Sequence, residues 1–158
     1  MEPSATFGNR LRAPYGFHPC KIDGAGRVKL PARYLEYLKK LAEVDLFVTE
    51  HGGLARIFTN GSWERTVAKL DTDTALRKRF TFRAESIGGD VTIDDAGRIT
   101  LPQRLRQELE LVDTQVQLRF YEDVITIYPQ KQYDAEAERV NSHRQSDEER
   151  ARELGVDL

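Results

Sequence analysis

The chain has one cysteine, one methionine, one tryptophan and three histidines among its 158 residues. Cys20 has no second cysteine to pair with, which points to a reducing compartment. With His18, His51 and His143 scattered, no zinc-binding spacing exists either, and no metal is expected. No apolar run approaches the roughly 20 residues of a membrane-spanning helix. The first residues, Met1 to Phe7, lack the basic and apolar regions of a secretion signal, so a cytosolic protein with no membrane partner is expected. Catalytic signatures are missing too. Gly24-Ala-Gly26 begins like a dinucleotide-binding loop, but Lys29 stands at the third glycine position and strand-like residues follow instead of a helix. There is no Gly-Lys-Ser/Thr phosphate loop. These absences speak against an enzyme, a cofactor and a small-molecule substrate.

What the chain does have is an internal repeat, the feature to read before any other. Asp23-Gly-Ala-Gly-Arg-Val-Lys-Leu-Pro-Ala-Arg33 returns as Asp94-Asp-Ala-Gly-Arg-Ile-Thr-Leu-Pro-Gln-Arg104. Aligning Ile22–Leu38 with Ile93–Leu109 gives nine identities in 17 positions. The echo continues with Leu46, Val48, Leu54, Ile57, Phe58 and Trp63 opposite Val116, Leu118, Val124, Ile127, Tyr128 and Tyr133, the offset falling from 71 to 70. A unit of this size is near the lower limit for a self-sufficient core, which is about 40 residues, so two units packed together overcome that limit.

Local patterns give each unit the plan ββαββ. Cys20 and Ile22, then Val28 and Leu30, alternate with lysines on either side of the Asp23–Gly26 turn, which predicts a short β-hairpin with Gly26 at the position needing positive φ. Pro31 opens a helix carrying Tyr34, Leu35, Leu38 and Leu41. Leu46–Thr49 and Leu54–Phe58 read as strands. Ser62 predicts a helix cap ahead of Trp63, and a second connector helix with Leu76 and Phe80 runs to about Phe82. Val91, Ile93, Ile99 and Leu101 repeat the first strands, Pro102 the helix start, and Val116–Tyr121 with Val124–Tyr128 the last hairpin. The expected organisation is an arm at 1–15, repeat 1 at 16–61, a helical connector at 62–86, repeat 2 at 87–130 and a charged tail at 131–158 that is helical, disordered or both.

The net charge of −2 conceals an asymmetry. Residues 1–40 carry eight Lys/Arg against three Asp/Glu, whereas residues 131–158 carry five against eight. The positive excess sits with the repeated turn, so nucleic acid stays open as a partner.

Two readings of the Asp-x-x-Gly-Arg element compete. In one, Asp23 and Asp94 accept backbone N–H groups, Gly26 and Gly97 supply the left-handed residue, and Arg27 and Arg98 pair with their aspartates across the turn. In the other, Arg27 and Arg98, with Lys21, Lys29, Arg33 and Arg104, present cations to phosphates and guanine edges. Spacing leaves these even for the arginines. The equal placement of Phe58/Tyr128 and Trp63/Tyr133 favours core or inter-unit packing over base stacking. Arg77, Lys78, Arg79 and Arg83 read as a solvated helix face, and Val67, Leu70, Leu76 and Phe80 as candidate subunit contacts.

The tandem Asp-x-x-Gly-Arg-x-x-x-Pro units, the Trp63-containing connector and the total length resemble the MraZ family, built from two AbrB-like (SpoVT/AbrB) units. The resemblance covers about Gly16 to Tyr133. It implies an α+β, mainly β fold, with two ββαββ repeats forming a swapped-hairpin-type β-barrel. It also implies a ring-shaped homo-oligomer, an octamer being the candidate size, and a regulator, usually a repressor, that binds direct repeats in double-stranded DNA ahead of the division and cell-wall gene cluster and associates with the nucleoid. By motif match the family's DNA-contacting arginines fall on Arg27 and Arg98. The chain departs from the family at Ala25, where a lysine often stands, and in the dozen or more residues ahead of Gly16. The rival reading is a ring-forming scaffold whose arginines serve only turns and interfaces.

Overall fold

A computed structural model describes residues 12–42 and 45–157. The arm expected at 1–15 therefore lies mostly outside the described residues. The described elements are mainly antiparallel strands with six helices: β1 (Phe17–Ile22), β2 (Arg27–Lys29), α1 (Ala32–Lys40), β3 (Asp45–His51), β4 (Leu54–Thr59), α2 (Asn60–Ala68), α3 (Thr74–Ile87), β5 (Gly89–Thr92), β6 (Arg98–Thr100), α4 (Gln103–Leu109), β7 (Thr114–Tyr121), β8 (Val124–Pro129), α5 (Gln130–Asn141) and α6 (Arg144–Glu153). The fold is α+β.

The strands pair in a palindrome. Six of them form one sheet in the order β1-β7-β8-β4-β3-β5, and β2 and β6 form a separate two-stranded ribbon. Each early strand thus joins the late hairpin of the other sequence repeat: Cys20 faces Val116 and Leu46 faces Val91. The local hairpin predicted over Cys20–Leu30 does not form. Its turn is closed by Gly26 N–H to Asp23 O at 3.1 Å and Asp23 N–H to Arg27 O at 3.2 Å, after which the two strands part. Pairing β2 with β6 instead sets Val28 against Ile99, both essentially sealed from solvent. A lone hairpin would have left that apolar face in water.

The pairing does not close a barrel among the described residues. β1 and β5 are the two edges of an open sheet, and the ribbon packs over its inner face. The core uses equivalent positions of both repeats: Leu30 with Leu101, Tyr34 with Leu105, Val48 with Leu118, Ile57 with Ile127. Each fully buried aliphatic side chain contributes about 1.5–3 kcal/mol, and neither repeat alone holds enough of them.

Two helix boundaries differ from expectation. α2 starts earlier because Thr59, rather than Ser62, is the cap. Thr59 Oγ1 accepts the Ser62 N–H at 3.0 Å while Ser62 Oγ accepts the Thr59 N–H at 2.9 Å, a reciprocal capping box. α3 is capped by Asp73 and continues to Ile87, because Ala84 packs with Phe47 and Phe58 on the outer sheet face. The charged tail is helical throughout α5 and α6, and Tyr133 of α5 meets Phe17 edge-on with ring centres 4.9 Å apart.

Candidate nucleic-acid interface

The repeated turn is built the same way twice. Asp23 Oδ1 accepts the N–H groups of Ala25 at 3.0 Å and Arg27 at 2.8 Å, and Oδ2 accepts Arg27 Nε–H at 2.7 Å. Asp94 does likewise with Ala96, Arg98 and Arg98 Nε at 2.9, 2.9 and 3.1 Å. The backbone N–H of Arg27 above all, then its guanidinium, holds the Asp23 carboxyl below the usual carboxylate range, and Arg98 does the same for Asp94. Gly26 and Gly97 both sit at φ +76°, where a side chain would be strained.

The ribbon then binds the two turns together. Leu30 N–H donates to Gly97 O at 3.0 Å and Leu101 N–H to Gly26 O at 2.9 Å. The Lys29 ammonium donates to Ala96 O, and Arg106 Nη1 donates to Ala25 O at 2.9 Å. Each turn tip is therefore held by a cation from the other repeat.

Register decides which side chains face outward. Arg27 lies opposite Thr100 and Lys29 opposite Arg98, while Val28 and Ile99 between them point into the core. Period-two alternation puts Arg27, Lys29, Arg98 and Thr100 on the outer face. Arg27 and Lys29 lie two residues apart on one strand, about 7 Å at a rise of roughly 3.3 Å per residue, and Arg98 stands directly across from Lys29. Arg27 and Arg98 are tied only through Nε, and their terminal nitrogens have no partner among the described residues. Their side chains remain 40% and 36% exposed, so the aspartates aim the guanidinium forks without occupying them.

The six cations singled out in the sequence are thus divided. Arg27, Lys29 and Arg98 share the ribbon face, and Lys21 is exposed on edge strand β1 just before the first turn. Arg33 and Arg104 stand apart at the starts of α1 and α4. Arg33 Nη2 donates to Tyr15 O at 3.1 Å and Arg104 Nη1 to Ser86 O at 3.2 Å. Tyr15 and Ser86 are equivalent under the 71-residue offset, so one anchoring contact is made twice. Arg106 escaped the sequence reading although it covers Gly26: a Cβ there would lie 2.0 Å from Arg106 Cδ. The only signal was its equivalence to Leu35, which covers Gly97 in the same manner.

A narrow two-stranded ribbon with an arginine-bearing outer face has the right size for a duplex major groove, about 12 Å wide, and arginine forks match guanine O6 and N7. No cluster of His, Cys, Asp or Glu among the described residues could hold a metal ion, and no described helix is long and apolar enough to cross a membrane.

Residues 89–155 match the family model described as "MraZ protein, putative antitoxin-like". The chain is 31% identical over 100 residues to the Transcriptional regulator MraZ of Acidobacterium capsulatum, covering 61% of this chain and 68% of that one. It is 34% identical over 101 residues to the protein of the same name from Koribacter versatilis, covering 61% and 69%. Against that of Burkholderia vietnamiensis it is 36% identical over 89 residues, covering 54% and 61%.

Proposed function

The chain belongs to the MraZ family, and from that premise we propose that it is a transcriptional regulator that binds double-stranded DNA through the outer face of the β2–β6 ribbon. One observation carries this reading: Arg27 and Arg98 are held by Nε alone and present their terminal nitrogens, with Lys29 between them, on a single exposed face. In this reading Arg27 and Arg98 read base edges, and Lys21 and Lys29 contact phosphates. Arg33 and Arg104 act through the anchoring of the helices behind the ribbon.

The regulator acts as a repressor at direct repeats ahead of the division and cell-wall gene cluster, in the cytoplasm at the nucleoid, and is not an enzyme. Pairing of β1 with β7 and of β2 with β6 supports reading 16–61 and 87–130 as two AbrB-like units of swapped-hairpin type. Direct repeats suit a closed ring, since linked turns add avidity of about 10²–10⁴ without new contacts. Of the connector residues, Val67 is buried within the chain and Phe80 stacks on Trp63, which leaves Leu70, Leu76 and the 74%-exposed Phe82 for subunit contacts. Light scattering should report a mass several times 18.1 kDa.

The scaffold reading draws on a specific observation as well, because every arginine of the set already serves a turn or a carbonyl. Gel shifts with the chain's own upstream DNA across a salt series separate the two. DNA binding in this mode loses affinity steeply, with a slope of about −0.9 per neutralised phosphate. A flat salt response, or no shift at all, would leave the scaffold.

A further inference from the structure

The sheet carries a second basic surface on the face away from the ribbon. Arg56, Thr126 and Arg119 alternate with the core residues Ile57, Ile127 and Leu118, so they point out of the opposite face. The register puts them in one row across three strands, Arg56 opposite Thr126 and Thr126 opposite Arg119. This row floors a cleft of about 710 Å³, inside the roughly 300–1,000 Å³ range of small-ligand sites.

The floor is fixed in place. Arg56 donates from Nε to His51 O at 3.1 Å and from Nη1 to the buried Thr126 hydroxyl at 3.2 Å. Arg119 lies over the Tyr121 ring, 4.4 Å from its centre. Trp63 and Phe80 form a stacked wall with ring centres 5.9 Å apart and planes 19° apart. Lys69 and Arg83, both exposed, also line the cleft and have no hydrogen-bond or ion-pair partner among the described residues. Five Lys/Arg line the cleft against two carboxylates, Glu50 and Glu122. Arg65 is paired with Asp123 at 3.1 Å and Glu50 accepts the Gly53 N–H at 2.9 Å, which leaves four cations without a carboxylate partner among the described residues. A concave surface with this excess concentrates anions, and its walls suit a flat ring.

We propose that this cleft binds a planar aromatic ligand bearing phosphate, a mononucleotide being its simplest form. The phosphate lies along Arg56 and Arg119, whose planar forks match its oxygens, and the base rests among Trp63, Phe80 and Tyr121. The site is separate from the ribbon, and the proposal does not depend on the DNA reading.

The single tryptophan of the chain lines the cleft, so its fluorescence reports directly on occupancy. Adenosine monophosphate titrated into the full-length protein, followed by Trp63 emission and by calorimetry, should bind saturably. Adenosine alone, and nucleotide to Arg56→Gln, should each bind about tenfold more weakly or worse because a charged hydrogen bond is lost. Inorganic phosphate alone should weaken similarly because it lacks the ring that rests on the aromatic wall. Arg83→Gln, on an exposed helix face, tests the same charge without disturbing the floor and should weaken binding several-fold, whereas Arg27→Ala should leave it unchanged. No saturation in the millimolar range, binding by Arg56→Gln and Arg83→Gln as tight as by the parent protein, or loss of binding in Arg27→Ala would overturn the proposal. So would a Trp63 signal that follows protein concentration and ignores nucleotide, which would mean that a second copy of the chain covers the cleft.

Discussion

The turns at Asp23–Arg27 and Asp94–Arg98 make the same hydrogen bonds and live in different surroundings. Both aspartates accept two backbone N–H groups and one arginine Nε, and both glycines take φ +76°. Around them the match ends. The first turn is covered by Arg106 and has Asp113 beside Gly24; the second is covered by Leu35 and Lys29 and carries the additional carboxylate Asp95. The turn is therefore a local object, and its charge is set by its neighbours. The late hairpins teach the same lesson. Gly52-Gly53 and Glu122-Asp123 both take positive φ, an easy conformation for glycine and a strained one for Glu and Asp, costing roughly 1–2 kcal/mol per residue. Asp123 also serves the fold: it accepts Tyr37 Oη–H at 2.7 Å and Arg65 Nη2–H at 3.1 Å, joining α1 and α2 to the β7–β8 turn. The first repeat's hairpin is tied to α3 instead, by Thr49 Oγ1–H to Ala84 O at 2.8 Å and by His51 against Phe80 with ring centres 5.9 Å apart.

The comparison can be broken at its core first. Tyr34 and Leu105 are equivalent and both fully buried, but only Tyr34 also donates a hydrogen bond, to Leu118 O at 3.2 Å. Tyr34→Ala should cost about 3–5 kcal/mol and Leu105→Ala about 2–5 kcal/mol, with the tyrosine the worse of the pair in denaturant unfolding. Equal costs would mean that the two halves of the core are energetically interchangeable.

Next come the two arginines. Arg27→Ala should weaken operator binding by about 1–3 kcal/mol, the worth of one bidentate base contact. Arg98→Ala should weaken it less, since its repeat is the more acidic of the two, with four Lys/Arg against eight Asp/Glu over 87–130, Asp95 in the turn among them. Melting should barely change in either variant, because exposed ion pairs add little to stability. A larger loss from Arg98→Ala would reverse the assignment of the dominant turn.

Tyr37 sharpens the contrast through pH. Burial first, then the hydrogen bond to Asp123 and its charge, push the Tyr37 hydroxyl up to about 12 from an ordinary 10. The folded state thus favours the neutral phenol. Its contribution is complete below pH 10 and disappears as pH rises through about 12. Tyr37→Phe should cost about 1 kcal/mol at neutral pH, a typical net hydrogen bond, and flatten the stability profile between those values. A profile unchanged by the substitution would remove Tyr37 as its source.

The smallest effect belongs to Asp95→Asn. It should tighten DNA binding by a few tenths of a kcal/mol at low salt and by nothing measurable at high salt, as expected for an exposed charge under screening. A gain that persists in high salt would point to a direct contact rather than to repulsion.

Much was legible in the residues themselves. The duplication, the strand and helix alternation and the Asp-Gly-Arg turns all rest on hydrogen bonds and periodicities spanning a few positions, so eleven residues suffice to specify each turn. The partners of those pieces were not legible. Whether β1 pairs with β2 or with β7 depends on where Val28 and Ile99 can both escape water, which no local pattern encodes. The division of the cations follows from the same cause: Lys29 meets Ala96 across 67 positions, Arg106 meets Ala25 across 81, and Tyr37 meets Asp123 across 86. The sequence by itself determined the turns and their repetition, because short-range geometry closes them. Only the tertiary structure decided which arginines face outward and which hold the chain together, because burying one shared core chose the pairing of the two halves.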